Sequence, residues 1–543
     1  MKKMLFLILF SYFFIVHAEV PEGAREVANH FQTERMRADL KFLSSDLLEG
    51  RGTGARGGRI AEEYIAAQFE MAGLKPLGDN GTYLQKVPLI GLTTQPESNL
   101  SLISQKGERT SLRYVDDFVV NALTLKEEEV IKAPVVFAGY GITAPEFQWT
   151  DYEGVDVKGK VVLVLVNDPP SEDPKIFGGK AMTYYGRWTY KYEEAARQGA
   201  AGILLVHNTE MASYGWGVVR NSYTGEQAFL ENIAGQYALP MAGWITEATA
   251  TKIVTASGTD LKTLFEKAKT HGFRAMELPF TIEGKLVAKV RSLEAYNVIG
   301  MLEGSDPSKK DEAIVYTAHH DHLGVGNPVD GDVIYNGAED NASGTALVLE
   351  MARAFSESSK RPPRSILFLT VTGEERGLRG SEYYGKVPKI PAKKTMLNLN
   401  YDGLAMWGDS ADVTLTGAER TSVWPIVQEV AKEIGYRIEP DAHPEAGYYY
   451  RSDHFSLARV GIPAFSVDSG NDYVGKPKGF GNQKYKEYIE KHYHQPSDEY
   501  NPSWDLSGAK KLAALGISIG WRVAELKEQT GWVKGDEFEK LRE

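Results

Sequence analysis

Amphipathic helical spacing opens this chain, and short unbroken apolar runs between glycine-rich or polar turns dominate the rest of it. Residues 19–35 read as a polar lead-in. Between 36 and 48, Met36, Leu40, Leu43 and Leu47 recur at helical spacing. The stretch 49–58 (EGRGTGARGG) holds five glycines and reads as loop. A second helix is predicted over 59–72, with Ile60, Tyr64 and Met71 near one face and Gly73 and Pro76 ending it. No cluster of catalytic residue types falls here, so the segment reads as scaffold. Short strands with turns are predicted from 84 to 137. Then 161–166 (VVLVLV) and 202–206 (GILLV) form continuous buried-strand runs, with a helix over 192–198 between them. This predicts a small β-rich unit with its own core, ending between 258 and 279.

From 280 onward, strands alternate with helices. A strand is predicted at 295–301. The apolar run 314–318 stops abruptly at His319, His320, Asp321 and His322. A helix over 341–355 carries Leu347, Met351 and Phe355 at i, i+4, i+8. The strand 364–371 (RSILFLTV) ends at Thr372-Gly373-Glu374-Glu375, and the strand 395–401 ends at Asp402. After a helix over 422–435 and a strand over 462–467, a loop contains Tyr493-His494-Gln495, and a closing helix spans 506–526. The alternation predicts an α/β fold, a mostly parallel sheet with helices on both faces.

Composition narrows the function. A chain of 543 residues exceeds one ordinary core, so at least two domains are expected. With a net charge of −12 it lacks the basic face of a nucleic-acid binder. Lys2 and Lys3, the apolar run 4–16 and the Val16-His17-Ala18 site predict a secretory signal peptide over 1–18, too short for the ~20 residues of a membrane span. The expectation is an exported protein, periplasmic or secreted, with no stable membrane anchor after cleavage. The absence of cysteine excludes disulfides and thiolate chemistry, so any metal is held by His and carboxylate.

Parallel strands present their carboxyl ends on one side of a sheet, where ligands bind. Here His319, the pair Glu374–Glu375 and Asp402 end three predicted strands, and Asp340 and His494 lie on loops that can reach the same edge. Two histidines and three carboxylates suit a pair of zinc ions bridged by one carboxylate. HExxH and GxSxG motifs are absent. His207 follows a strand with no acidic partner nearby in sequence and reads as structural. Arg187 and Trp188 face either substrate or solvent.

The segments AHHDHLG at 318–324, YNGAEDNASG at 335–344, GEERGLRGS at 373–381, NYDG at 400–403 and YHQPSD at 493–498 resemble, in order and spacing, the co-catalytic two-zinc exopeptidases typified by secreted bacterial leucyl aminopeptidases. The resemblance covers about 300–543, and 36–90 more loosely. The order strand, DYEGVDVKGKVVLVLV, helix and GAAGILLVHN resembles the protease-associated domain, a module inserted into several exported peptidases. After the signal peptide at 1–18, the resemblance implies the first part of a peptidase domain at 19–130, the insert at 131–275 and the main peptidase part at 276–543. It also implies site roles. His319 and Asp402 hold one zinc, Glu375 and His494 the other, and Asp340 bridges them. Asp321 orients His319, and Glu374 serves as general base and then acid. Tyr449, in GYYYRSDHF, donates to the oxyanion. Glu339 stands where the family often has Asp, outside the ligand set. His320, His322, His454 and His492 have no ligand role in the pattern and read as packing or hydrogen-bonding residues. The activity implied is aminopeptidase action on peptides through a zinc-bridged hydroxide. A carboxypeptidase or dipeptidase, a glutaminyl cyclase and a non-catalytic receptor-like homologue are the alternatives on this scaffold. Side-chain specificity and oligomeric state are not read from the sequence.

Overall fold

The computed structural model describes residues 19–173, 175–231, 238–404 and 406–542, so the expected signal peptide lies outside the described residues. In chain order, the elements that build the site are helix α1 (Trp216–Thr224), strands β1 (Met276–Leu302) and β2 (Ala313–His319), helix α2 (Ser343–Glu357), strands β3 (Ser365–Val371), β4 (Thr395–Asn400) and β5 (Ala464–Ser466), and helix α3 (Ser507–Glu525). The sheet runs β5-β4-β2-β3-β1. Its first four strands are parallel and β1 is antiparallel to β3. The expected α/β architecture is present.

Side-chain alternation along β2 puts Ile314, Tyr316 and Ala318 against the larger helical layer, with Met351, Phe355 and Trp521. Ala313 and Val315 face a smaller core on the other side, with Leu367, Leu369 and Tyr384. Every residue of β2 and β3 is buried, which is why both read as continuous apolar runs rather than alternating ones. Gly516 and Gly520 let α3 lie directly on the sheet: a Cβ there would meet the hydroxyl oxygens of Tyr401 and Tyr316 at 1.9 and 2.2 Å.

β1 is much longer than the strand predicted at 295–301. Its C-terminal residues Val298–Leu302 pair with β3, and its N-terminal half pairs with Glu128–Phe137 of the insert. One strand thus joins two cores. The insert's own strands, Val161–Leu165, Gly202–His207 and Met241–Thr246, continue the sheet in parallel.

Two readings of the N-terminal region are corrected. Residues 19–35 are not merely a lead-in: a helix spans Glu22–His30, burying Gly23, Ala24 and Val27. Small buried residues give little hydrophobic periodicity, which hid it. The loop 49–58 contains a helical turn, Asp46–Arg51, with Glu49, Gly50 and Arg51 at positive φ (49°, 65° and 48°), and the next helix starts at Arg56.

Candidate metal centre

The ends of β2, β3 and β4 bring His319, Glu374–Glu375 and Asp402 to one edge, as the chain order required. His319 Nε2 lies 3.0 Å from Asp402 Oδ1 and 3.2 Å from Asp340 Oδ1. His494 Nε2 lies 3.0 Å from Glu375 Oε2 and 3.4 Å from Asp340 Oδ2. Asp340 therefore stands between two histidine–carboxylate pairs, one oxygen toward each. Glu374 joins His319 and Glu375 in a group whose ligand-type atoms all lie within 4.8 Å of one another.

The loops around these groups are tied to each other. Asp498 accepts the backbone N–H groups of Glu339 (2.9 Å) and Asp340 (3.1 Å), locking the Asp340 loop to the segment that carries His494. Ser452 donates a short hydrogen bond to Asp402 Oδ2 and accepts from Asn400 Nδ2 at 2.8 Å. Both imidazoles present Nε2 to the carboxylates and Nδ1 to an oxygen: the backbone carbonyl of Asp321 for His319 (3.0 Å) and the Ser222 hydroxyl for His494 (2.9 Å).

The expected role of Asp321 is corrected in its chemistry. Its carbonyl, not its carboxylate, meets His319. The carboxylate Oδ2 instead accepts Thr53 Oγ1 (2.6 Å), Thr372 Oγ1 (3.0 Å) and the N–H of Gly373, so it braces the turn that carries Glu374.

Tyr449 is corrected outright. Its ring packs with Phe455, Trp532 and Phe538 and lies 4.4 Å under the Arg420 guanidinium, and its buried hydroxyl has no hydrogen-bond partner. It does not line the cavity at the metal-type cluster. That cavity, about 160 Å³, lies between the insert and the sheet edge. Glu374, Glu375 and His494 line one wall, and Arg187, Trp188 and Tyr214 of the insert line another, with Arg451 and Tyr493 beside them. Arg187 and Trp188 thus face the cavity.

Three contributors escaped sequence reasoning. His322 Nδ1 lies 2.7 Å from Glu375 Oε1, and its ring meets that of His494 edge-on. Its spacing of three from His319 was the available signal. Arg51 is fully buried and donates to the carbonyls of Leu43, His320 (2.8 Å), Asn336 (2.6 Å) and Gly337 (2.7 Å), clamping the loops on which His319 and Asp340 sit. Ser222 comes from the insert. The other surplus histidines make packing or hydrogen-bond contacts: His320 Nδ1 with Thr370 Oγ1, His492 Nδ1 with the Ser497 carbonyl, and the buried His454 ring against Tyr449.

The donor set fits divalent zinc. Burial opposes charge on the imidazoles, yet Asp402, Glu374 and Asp340 raise His319 well above the usual histidine range, and Glu375 and Asp340 push His494 up to about 9. Burial opposes ionisation of Glu375, but His494 and His322 hold it down at about 2. Burial, reinforced by Glu375 and Asp402 and countered by His319, raises Glu374 well above the usual carboxylate range. The cluster demands positive charge among its carboxylates. A cation there leaves the imidazoles neutral and able to ligate through Nε2. Buried His494 Nε2 and Glu375 Oε1 have no properly oriented hydrogen-bond partner, as expected of atoms directed at an ion.

Among the described residues, no helix is long and apolar enough to cross a membrane. Residues 297–517 match Peptidase family M28 and residues 131–253 match the PA domain. Aminopeptidase YwaD of Bacillus subtilis is 31% identical over 208 residues, which are 37% of this chain and 39% of that protein. A probable leucine aminopeptidase of Arthroderma otae is 30% identical over 195 residues, 34% of this chain and 50% of that protein. The chain therefore spans half or less of these relatives' lengths. The aminopeptidase from Aneurinibacillus sp. strain AM-1 shares the fold, with a TM-score of 0.56 at 21% identity over 92% of this chain and 96% of that one. Residues 297–517 are thus similar to Peptidase family M28, and a segment similar to the PA domain lies ahead of them.

Proposed function

We propose that this chain is an exported two-zinc aminopeptidase that releases N-terminal residues from peptides. The observation that carries this reading is the placement of Asp340 between the pairs His319–Asp402 and His494–Glu375. These five residues would hold the two ions. Bound there, zinc would lower the pKa of a shared water and polarise the scissile carbonyl.

Glu374, half-buried beside His319 and Glu375, takes the proton of the attacking water and passes it to the leaving amine. Its tendency to hold a proton suits the second task. The Asp321 carboxylate fixes the Gly373 turn, and so the reach of Glu374. With Tyr449 outside the cavity, Arg187 is the group of the insert that brings positive charge opposite Glu374 and faces the carbonyl oxygen as it gains charge. Export rests on residues 1–18. The relatives named as aminopeptidases support the reaction class.

A carboxypeptidase or dipeptidase reading is favoured by one observation: four arginines, Arg187, Arg376, Arg379 and Arg451, share the cavity with Glu374, and cationic walls suit a substrate carboxylate. The test is a panel of peptides blocked at one end or the other. Cleavage that requires a free amino end and tolerates a carboxyl amide supports the aminopeptidase. Cleavage that requires the free carboxylate moves the assignment to the second reading.

A further inference from the structure

One helix of the inserted domain reaches a histidine of the candidate metal centre directly. α1 (Trp216–Thr224) ends beside the loop that carries His494. Within its last turn, Ser222 Oγ lies 2.9 Å from His494 Nδ1. Its neighbour Asn221 donates to the His494 carbonyl (3.3 Å) and to Gln495 Oε1 (3.2 Å). Carbonyls in the last turn of a helix have no intrahelical partner. The Ser222 carbonyl is used accordingly: it accepts Arg376 Nη1 (2.9 Å) and Gln227 Nε2 (2.7 Å). Arg376 follows Glu375 directly and also donates to the Leu323 carbonyl (3.2 Å), next to His322. One serine of the insert thus touches the imidazole of His494 with its hydroxyl and the Glu375 turn with its carbonyl.

We infer that Ser222 is a positioning residue for the His494–Glu375 half of the centre, so that the PA domain is a structural part of one metal site and not an appended module. This rests on the two-metal reading above. A histidine that ligates through Nε2 must carry its proton on Nδ1, and an acceptor there fixes both tautomer and ring direction. For His319 that acceptor is backbone, supplied by the peptidase domain itself. For His494 it is a side chain from the insert. His494 also has φ +55°, a conformation uncommon for a residue with a side chain, and the Asn221 contact to its carbonyl helps to hold it there. Losing the Ser222 hydroxyl therefore weakens one ion and spares the other.

The experiment compares the full chain carrying Ser222→Thr with Ser222→Val, two side chains of matching shape that differ in the hydroxyl. Metal-free protein is titrated with zinc against a competing chelator, and with cobalt while the visible absorption of each bound ion is followed. Thermal midpoints of the metal-free forms are recorded alongside. The expected result is two ions in the parent and in Ser222→Thr. In Ser222→Val one ion weakens about 10–100-fold, its cobalt band shifts, the other ion is unchanged, and the metal-free midpoint matches that of Ser222→Thr. Equal affinities in the two variants, or equal weakening of both ions, overturn the inference and leave the two-metal reading intact. A parent chain that binds no zinc overturns the two-metal reading itself.

Discussion

At the scale of single residues, the proposed centre divides binding and chemistry between Asp340 and Glu374. Asp340 offers one oxygen to each histidine–carboxylate pair. Asp340→Ala should therefore cost both ions, each by more than the ~10–100-fold typical of changes one bond farther out. Equilibrium dialysis with zinc checks this, and loss of only one ion would remove the bridging role. Glu374 sits in the same cluster but is proposed to move protons. Glu374→Gln should keep the zinc content of the parent while turnover falls by ~10²–10⁴. Near-parental turnover in that variant would assign the proton transfer elsewhere. The ligand-type residues were legible in the sequence because three apolar strands each stop at a His, Glu or Asp, and parallel strands carry those ends to one edge. The contacts of Tyr449 were not: three consecutive tyrosines give no indication of which one faces a cavity, and this one packs against Arg420 and Phe538.

At the scale of elements, the loop 49–58 does more than connect two helices. The Arg51 guanidinium donates to four backbone carbonyls, three of them on the His319 and Asp340 loops, and Thr53 secures Asp321. A buried carbonyl left without a donor costs about 1–3 kcal/mol. Arg51→Met strips four at once and is expected to destabilise the metal-free chain by about 4 kcal/mol, since such losses rarely add fully. Urea unfolding measures it, and a loss below about 1 kcal/mol would show that the loop re-pairs its carbonyls elsewhere. Arg51→Lys should recover little, because an ammonium cannot span a planar fork of acceptors. Glycine count marked this stretch as loop throughout, although a helical turn ends at Arg51 and the next helix starts at Arg56, and nothing local in EGRGTGARGG reveals that its arginine Arg51 points inward. That burial is set by contacts with residues 320, 336 and 337, far away in sequence. Strands β2 and β3 were legible for the opposite reason: buried along their whole length, they read as apolar runs.

At the scale of the whole molecule, the insert and the peptidase sheet are joined by, among other contacts, the continuous strand Met276–Leu302 and the helix Trp216–Thr224 at the His494 loop. The cavity between them, with metal-type ligands on one wall and Arg187 on the other, exists only when both parts are present. That union was invisible in sequence, because the hydrophobic pattern separates domains but does not report contacts between them. The proposed function makes this edge of the molecule a two-zinc catalytic centre. The most direct test is the metal content of the purified full chain by mass spectrometry, read with aminopeptidase activity before chelation, after it, and after zinc is restored. The expected result is about two zinc ions per chain, loss of activity with loss of metal, and recovery only as the second equivalent returns. A folded chain that holds no zinc, or one whose peptide cleavage survives complete removal of metal, would contradict it.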